Sequence, residues 1–252
     1  LLDRPVADLD IALAGDAAVA AKAVAAAYGA VRFPLSDTFG AWRIKDGRLP
    51  FTVDITPLQG KDIVEDCARR DLTVNALALP LDEGDIVDSV GGLADLAQGL
   101  LRMVEPGAFR ADPVRIVRLA RIACQTGFRI DEATRVRARM DVTGLAHTAV
   151  ERVFDELRTI AGFADAWRGI ELLDEVGALG VLIPALEEAR GLEQTPYHHK
   201  DVLGHTIEVV QYICEIRADP ASLFRGDATA IGAALAEPLA DELTRGQALV
   251  FA

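Results

Sequence analysis

A chain of 252 residues is long enough for one large domain or two ordinary ones, and 51% hydrophobic with 26% charged residues is globular composition, not disordered or fibrous. No run approaches the roughly 20 apolar residues of a membrane-spanning helix, and Leu1-Leu2-Asp3-Arg4 does not open a secretory signal. Three scattered cysteines, Cys67, Cys124 and Cys214, without a Cys-x-x-Cys pair exclude a disulfide framework and a zinc ribbon, so a reducing cytoplasm is expected.

Along the chain, Asp8-Leu-Asp-Ile-Ala-Leu-Ala alternates as a strand does, and Gly15-Asp16 leads into an alanine-rich helix from Ala17 to Tyr28. Ala30–Phe33, Phe39–Ile44 and Phe51–Thr56, the last closed by Pro57, read as short strands. Thr73–Leu79 is expected as a short helix ended by Pro80, and Ile86–Asp88 as the last strand of the chain. Asp112-Pro113 has the form of an N-cap with Pro at the first helical position, opening a helix to about Cys124 that Gly127 ends. Further helices are expected near 131–140, 149–161, 165–177 and 201–216, with Ala218–Glu237 a flexible loop. The plan is an α/β head of roughly 90 residues and an all-helical remainder.

The net charge of −13 argues, as an average, against a nucleic-acid partner. The average hides a split. Between Arg102 and Arg139 nine arginines face four acids, a local +5 in a chain whose remainder carries −18. A solvated helix face is the plain reading of such a cluster.

Three constellations carry chemistry. Asp8 and Asp10, two apart on a strand, point to one side, and paired oxygen ligands of this type suit Mg²⁺. Asp-x-Asp is common by chance, so the spacing alone does not single the pair out. Asp54, flanked by apolar residues in mid-strand, needs a partner if ionised, and three strand carboxylates on one sheet can hold two metal ions. Next, Arg69-Arg70-Asp71-Leu-Thr-Val-Asn75 offers two guanidinium forks and a capped helix start, suited to a polyphosphate or a ribose, or simply a local salt bridge. Finally, Asp112, Arg115, Arg118 and Arg121 repeat at spacing three while Ile116, Val117, Leu119, Ala120 and Ile122 fill the other side of the helix. A row of arginines with no interleaved Glu is a poor salt-bridge pattern, which puts ligand binding ahead of a solvated face.

Five motifs then occur in order: Leu1–Ile11 with its Asp-x-Asp, Arg69–Ala78, Val87–Leu96, Phe109–Arg121 and Glu151–Leu157. Together they resemble the class II tRNA nucleotidyltransferases (CCA-adding enzymes) and the related bacterial poly(A) polymerases. The resemblance implies an α+β protein: a polymerase-β-like nucleotidyltransferase head over 1–105, a helical neck and body over 106–195, and the start of an HD-type helical domain over 196–252. It implies addition of CCA, or part of it, to tRNA 3′ ends from CTP and ATP without a nucleic-acid template. Alternatives are a poly(A) polymerase, a CC- or A-only adding enzyme, and an RNA-binding HD phosphohydrolase with a relic head. Carried over by position, Asp8 and Asp10 match the metal-binding pair, for Mg²⁺; Asp54 joins them as a third catalytic acid on the strand reading above. Arg70 matches the nucleotide-contacting arginine, with Asp71 and Asn75 near the sugar. Asp112 and Arg115 match the pair that hydrogen-bonds the incoming base, and Arg118 and Arg121 help hold the nucleotide. The expected partners are tRNA, CTP and ATP and no membrane, with oligomeric state left open.

Departures from the pattern are also visible. Ala111 stands where the family usually has Glu, and a Gly-Gly-x-Val-Arg-Asp phosphate loop is expected before Leu1, so the chain reads as truncated there and weak in triphosphate binding by itself. The stretch between Asp54 and Arg69 is short, as in CC-adding members. In Tyr197-His198-His199-Lys-Asp201-Val-Leu-Gly-His205, His205 would be the first HD-domain metal ligand. No His-Asp doublet follows, so His205 is expected to be structural here and the domain incomplete.

Overall fold

Short runs of alternating apolar and polar residues build the first part of the chain. The computed structural model describes residues 2, 6, 8–36, 40–45, 51–192, 200–240 and 243–251. It divides into two compact units, Leu1–Arg70 with Ala76–Val90, and Asp71–Asn75 with Gly91–Ala252. Residues 91–105, grouped with the head in the sequence reading, pack in the second unit. The architecture is α+β.

In the first unit, β1 (Asp8–Leu13), α1 (Ala17–Tyr28), β2 (Val31–Ser36), β3 (Ala41–Lys45) and β4 (Thr52–Pro57) follow the predicted order; Phe39 lies outside the described residues. The sheet runs β1-β4-β3-β2, with β1 parallel to β4 and the other pairs antiparallel. Asp16 caps α1, its Oδ1 accepting from the backbone N–H of Ala18 at 2.8 Å and of Val19 at 3.2 Å, and Gly29 ends it at φ 63°, a left-handed conformation that suits glycine. Ala17, Ala21 and Ala25, four apart on one face, let α1 lie close against Ile44, Val53 and Ile55. Since side chains alternate along a strand, the opposite face carries Asp8, Asp10, Thr52, Asp54 and Arg43. One face is core; the other is chemistry.

Two stretches between Asp62 and Leu79 differ from the sequence reading. A helix not foreseen, α2 (Ile63–Ala68), is capped by Asp62, whose Oδ1 accepts from the Glu65 N–H at 2.9 Å. The expected helix at Thr73–Leu79 is instead a single 3-10 turn, Thr73–Asn75, followed by β5 (Leu77–Ala78), which pairs with β6 (Val87–Asp88). Strand pairing takes the later residues out of the helical path, Leu77 opposite Asp88 and Ala78 opposite Val87, while the Thr73 N–H donates to Arg102 O at 2.9 Å and its hydroxyl to Asp95 Oδ2 at 2.7 Å.

The second unit contains α3 (Gly92–Gln98), β7 (Leu100–Leu101), α4 (Ala108–Ala111), α5 (Val114–Thr126), β8 (Arg129–Ile130), α6 (Glu132–Asp141), α7 (Val150–Gly162), α8 (Ala166–Glu175), α9 (Ala178–Leu182), α10 (Pro184–Glu188) and α11 (Val202–Ala218). Then come α12 (Ala221–Phe224), α13 (Ala228–Ala236), β9 (Pro238–Ala240), β10 (Leu243–Thr244) and α14 (Arg245–Ala248). Contrary to expectation, strands occur after Gly92, as the two-residue parallel pair β7–β8 and the antiparallel β9–β10, and 218–237 holds two helices in place of a loop. Such short strands carry too few residues to show a period. α5 is the centre of the helical core, packed by α7 and α8 around Phe109, Val117, Leu119, Ile160 and Leu173. Gly169 permits the α8 contact, because a Cβ there would come within 2.8 Å of Ile160 and 2.9 Å of Cys124.

Phe109 has no exposed surface. We predict that Phe109→Ala lowers stability by ~3–5 kcal/mol through the cavity it leaves, read as a lowered denaturation midpoint with an unchanged slope. An unchanged midpoint would show that this core is not where the helical unit gains its stability.

Candidate functional site

The sheet register fixes the carboxylates. Asp10 stands opposite Asp54 across the β1–β4 ladder, and Asp8 opposite Thr52, whose hydroxyl donates to Asp8 Oδ1. Asp54 is committed: Arg43, its neighbour on β3, donates from Nε to Oδ1 at 2.8 Å and from Nη2 to Oδ2 at 2.7 Å. Among the described residues, neither Asp8 nor Asp10 is held by an arginine fork of this kind. Desolvation above all, then the Asp54 and Asp8 carboxylates, push Asp10 above the ordinary carboxylate range, against the pull of Arg70 and Arg43. Two like charges on one strand face with a raised titration are what a divalent cation relieves. Among the described residues no group of three or more His, Cys, Asp or Glu is arranged to hold a metal ion. Asp8 and Asp10 by themselves supply carboxylate oxygens, donors of the kind a hard divalent cation takes.

Arg70 lies one turn past Asp66 of α2. Its Nε and Nη2 donate to Asp66 Oδ2 at 3.2 and 3.1 Å, while Asp66 Oδ1 accepts the Gln59 N–H at 2.8 Å. A buried carboxylate thus aims this guanidinium.

In the second unit, Asp71 is buried. Its Oδ1 accepts from the Leu72 N–H at 2.7 Å and from Asn75 Nδ2 at 3.2 Å, and its Oδ2 meets Arg118 Nη1 at 3.5 Å. Asn75 itself is exposed. Arg118 Nε donates to Glu156 Oε1 at 2.8 Å and Arg121 Nε to Glu156 Oε2. The absence of an interleaved Glu on α5 is thus corrected by a nearly buried Glu from α7. Asp112, Arg115, Arg118 and Arg121 do share one run of α5 and its entry, as read from the sequence. The expected cap does not form. Asp112 ends α4 with extended backbone (φ −151°, ψ 95°), the conformation a residue before proline prefers, and Pro113 begins α5. The Asp112 carboxylate turns to Arg152 of α7, whose Nη1 and Nη2 donate to Oδ1 and Oδ2 at 3.0 and 2.8 Å. Arg115 Nε lies 3.9 Å from Asp112 Oδ2.

The local +5 is also more nearly balanced than the count suggested. Arg135 and Arg139 share Glu175, Arg137 closes on Asp141, and Arg102 on Asp95 and Asp131. Most of these acids lie outside the stretch in sequence, so counting within it missed them. His205 Nδ1 stands 3.9 Å from Glu208, and Tyr197-His198-His199 lies outside the described residues.

Arg43, Asp66, Arg152 and Glu156 were not singled out from sequence. Glu156 had a signal: it sits among Val153, Leu157 and Ile160 on the apolar side of α7, where an acid needs a buried cation. Arg152 had none.

Asp10 titrates higher folded than unfolded, so between the two values the folded chain holds more protons and stability falls as pH rises through that window. At neutral pH the full penalty stands. We predict that Asp10→Asn raises the melting temperature in EDTA, and that Mg²⁺ narrows the gap by stabilising the parent protein alone. A lowered melting temperature for Asp10→Asn in EDTA would contradict the reading of Asp10 as an uncompensated charge.

Two sequence families match: "Poly A polymerase head domain" over residues 40–102, and "Probable RNA and SrmB- binding site of polymerase A" over residues 127–190. The A-adding tRNA nucleotidyltransferase of Deinococcus radiodurans is 38% identical over 216 residues, 83% of this chain and 49% of its own length. The CC-adding tRNA nucleotidyltransferase of Geobacter sulfurreducens is 42% identical over 157 residues, 62% of this chain and 36% of its own. The chain thus spans about half the length, or less, of these relatives. A tRNA nucleotidyltransferase solved with a primer tRNA and an incoming ATP analog superposes with a TM-score of 0.70 at 22% identity, covering 99% of this chain and 75% of that one, a likeness of fold. The chain belongs to the family of tRNA nucleotidyltransferases and poly(A) polymerases.

Proposed function

We propose that the protein adds CCA, or part of it, to tRNA 3′ ends from CTP and ATP without a nucleic-acid template. The observation that carries this reading is the pair Asp8 and Asp10 on the open sheet face, which among the described residues has no arginine fork while Asp54 beside it has one. The names of the relatives, A-adding and CC-adding, support the substrate class and leave the added base to experiment. In the reaction the tRNA 3′-hydroxyl attacks the α-phosphate, and pyrophosphate leaves. Asp8 and Asp10 would hold Mg²⁺. When bound, that ion lowers the pKa of the attacking hydroxyl and neutralises charge on the leaving phosphates. Asp54 keeps Arg43 beside this pair and so tempers the field around it. Arg70, steadied by Asp66, binds phosphate or sugar, and Asp71 orients the Asn75 amide toward the sugar. Asp112 accepts from the exocyclic amino group of cytosine or adenine and Arg115 donates to the adjacent ring nitrogen. Arg118 and Arg121, fixed by Glu156, hold the nucleotide through fork geometry that a lysine lacks. Free thiols at Cys67, Cys124 and Cys214 fit a reducing cytoplasm.

The test is direct. We predict that Asp8→Ala and Asp10→Ala in the full-length protein abolish nucleotide addition while circular dichroism is unchanged; retained addition in either variant would remove the metal assignment. Base and phosphate contacts should separate as well. Asp112→Ala and Arg115→Ala should relax the choice among CTP, ATP, GTP and UTP, whereas Arg70→Ala should raise the KM of all four alike, since phosphate and sugar carry no base information. Equal losses for every nucleotide in all three variants would contradict this division.

A further inference from the structure

The sheet face that carries the carboxylates does not end at Arg43. Phe33 on β2 pairs with Arg43 on β3, Arg43 with Asp54 on β4, and Asp54 with Asp10 on β1, so one row of side chains crosses the whole sheet on that face. With strands about 4.8 Å apart, the Phe33 backbone stands about 10 Å from that of Asp54 and about 14 Å from that of Asp10 along the row. The ring is not core: Phe33 is 41% exposed, and Val31, two residues before it, 69%. Arg32 between them turns to the other face, its guanidinium 4.5 Å from the centre of the Trp42 ring. β2 is an edge strand, where open apolar side chains are a liability unless something uses them. Pro34, without an N–H, makes that edge a poor place to add a further strand, so a ligand meets the face and not the edge. Lys45 is exposed opposite Val31, and neither β2 nor β3 contains an acid, in a chain of net charge −13. An open aromatic ring with a cation beside it is the composition of a single-stranded nucleic-acid platform, the ring stacking a base and the cation meeting phosphate.

We infer that Phe33 stacks one of the last two bases at the 3′ end of the RNA to be extended. The inference rests on the nucleotide-addition reading above, in which the RNA 3′-hydroxyl comes to Asp8 and Asp10. In that reading Asp112 and Arg115 take the incoming base, so a ring on the same sheet row as the carboxylates serves the RNA strand. Every base has a π-face, so a stacked base is held without being read. One ring therefore serves a strand ending in C as well as one ending in A.

The experiment measures binding and extension of a tRNA that ends before its CCA, with full-length parent protein, Phe33→Ala, Phe33→Leu and Phe33→Trp, and with melting temperature and molar mass alongside. A second tRNA lacks the bases of its last two nucleotides and keeps their sugars and phosphates. Phe33→Ala should weaken binding of the intact tRNA about tenfold, the order of one base–aromatic stack, and leave KM for CTP and ATP at saturating tRNA near the parent's. Phe33→Leu keeps apolar area without a ring, so it should keep the melting temperature and still lose most of that affinity. Phe33→Trp should hold the tRNA at least as well as the parent, with indole fluorescence that the intact tRNA quenches beyond the parent's. The abasic tRNA should bind the parent about as weakly as the intact one binds Phe33→Ala, and the two losses should not add. Parent-like affinity in Phe33→Ala or Phe33→Leu, or losses that add, would overturn the inference alone if the parent still extends tRNA. A lowered molar mass in Phe33→Ala with tRNA affinity kept would assign the strip to self-association and overturn it too. A parent that neither binds nor extends the tRNA would overturn the nucleotide-addition reading, and the inference with it.

Discussion

Two carboxylates face each other across the parallel ladder between β1 and β4, and the chemistry of the first unit follows from that. Asp10 opposite Asp54 is a like-charge pairing, which a sheet tolerates only with compensation. Arg43 supplies it to Asp54 with both donors of one fork. Asp8 and Asp10 remain on the same face, one of them held above the ordinary carboxylate range. The alanines of α1 contribute from behind: small side chains bring the helix close enough to bury Ile44, Val53 and Ile55 on the face opposite the charges.

One stretch of the second unit, Arg102–Arg139, poses the opposite problem, a local excess of cations. Glu156, nearly buried, takes one donor from Arg118 and one from Arg121, and Asp71 takes another from Arg118. These links tie α7 and the 3-10 turn at Thr73–Asn75 to α5. They hold long side chains in one conformation before any ligand arrives, which lowers the entropy lost on binding. Arg102, Arg135, Arg137 and Arg139 are balanced in the same way by Asp95, Asp131, Asp141 and Glu175. What sequence shows as a basic segment is, in three dimensions, a lattice of ion pairs. An RNA held by this unit would exchange partners with those carboxylates rather than meet bare positive charge.

The strands and helices with a clear period were legible in the sequence. α1 was readable from Asp16 to Gly29, and the end of α5 from Gly127, because caps and glycines act locally. The same-face relation of Asp8 and Asp10 follows from strand geometry alone. The Asp54–Arg43 fork does not, since it depends on which strands pair and in what register. The stretch Thr73–Leu79 was misread as helix because Leu77 and Ala78 pair with Asp88 and Val87, beyond the reach of a local pattern. Asp112 was misread as a cap because its true partner, Arg152, is forty residues away. Partners distant in sequence decided every one of these cases.

The most direct measurement is extension of a tRNA that ends before its CCA, incubated with full-length protein and Mg²⁺ and resolved at single nucleotides. CTP alone, ATP alone, the two together, and UTP or GTP are supplied in separate reactions with no template strand. The account predicts stepwise growth by C, by A, or by both in order, and none with UTP or GTP. No growth under any condition, or growth with all four nucleotides alike, would contradict it.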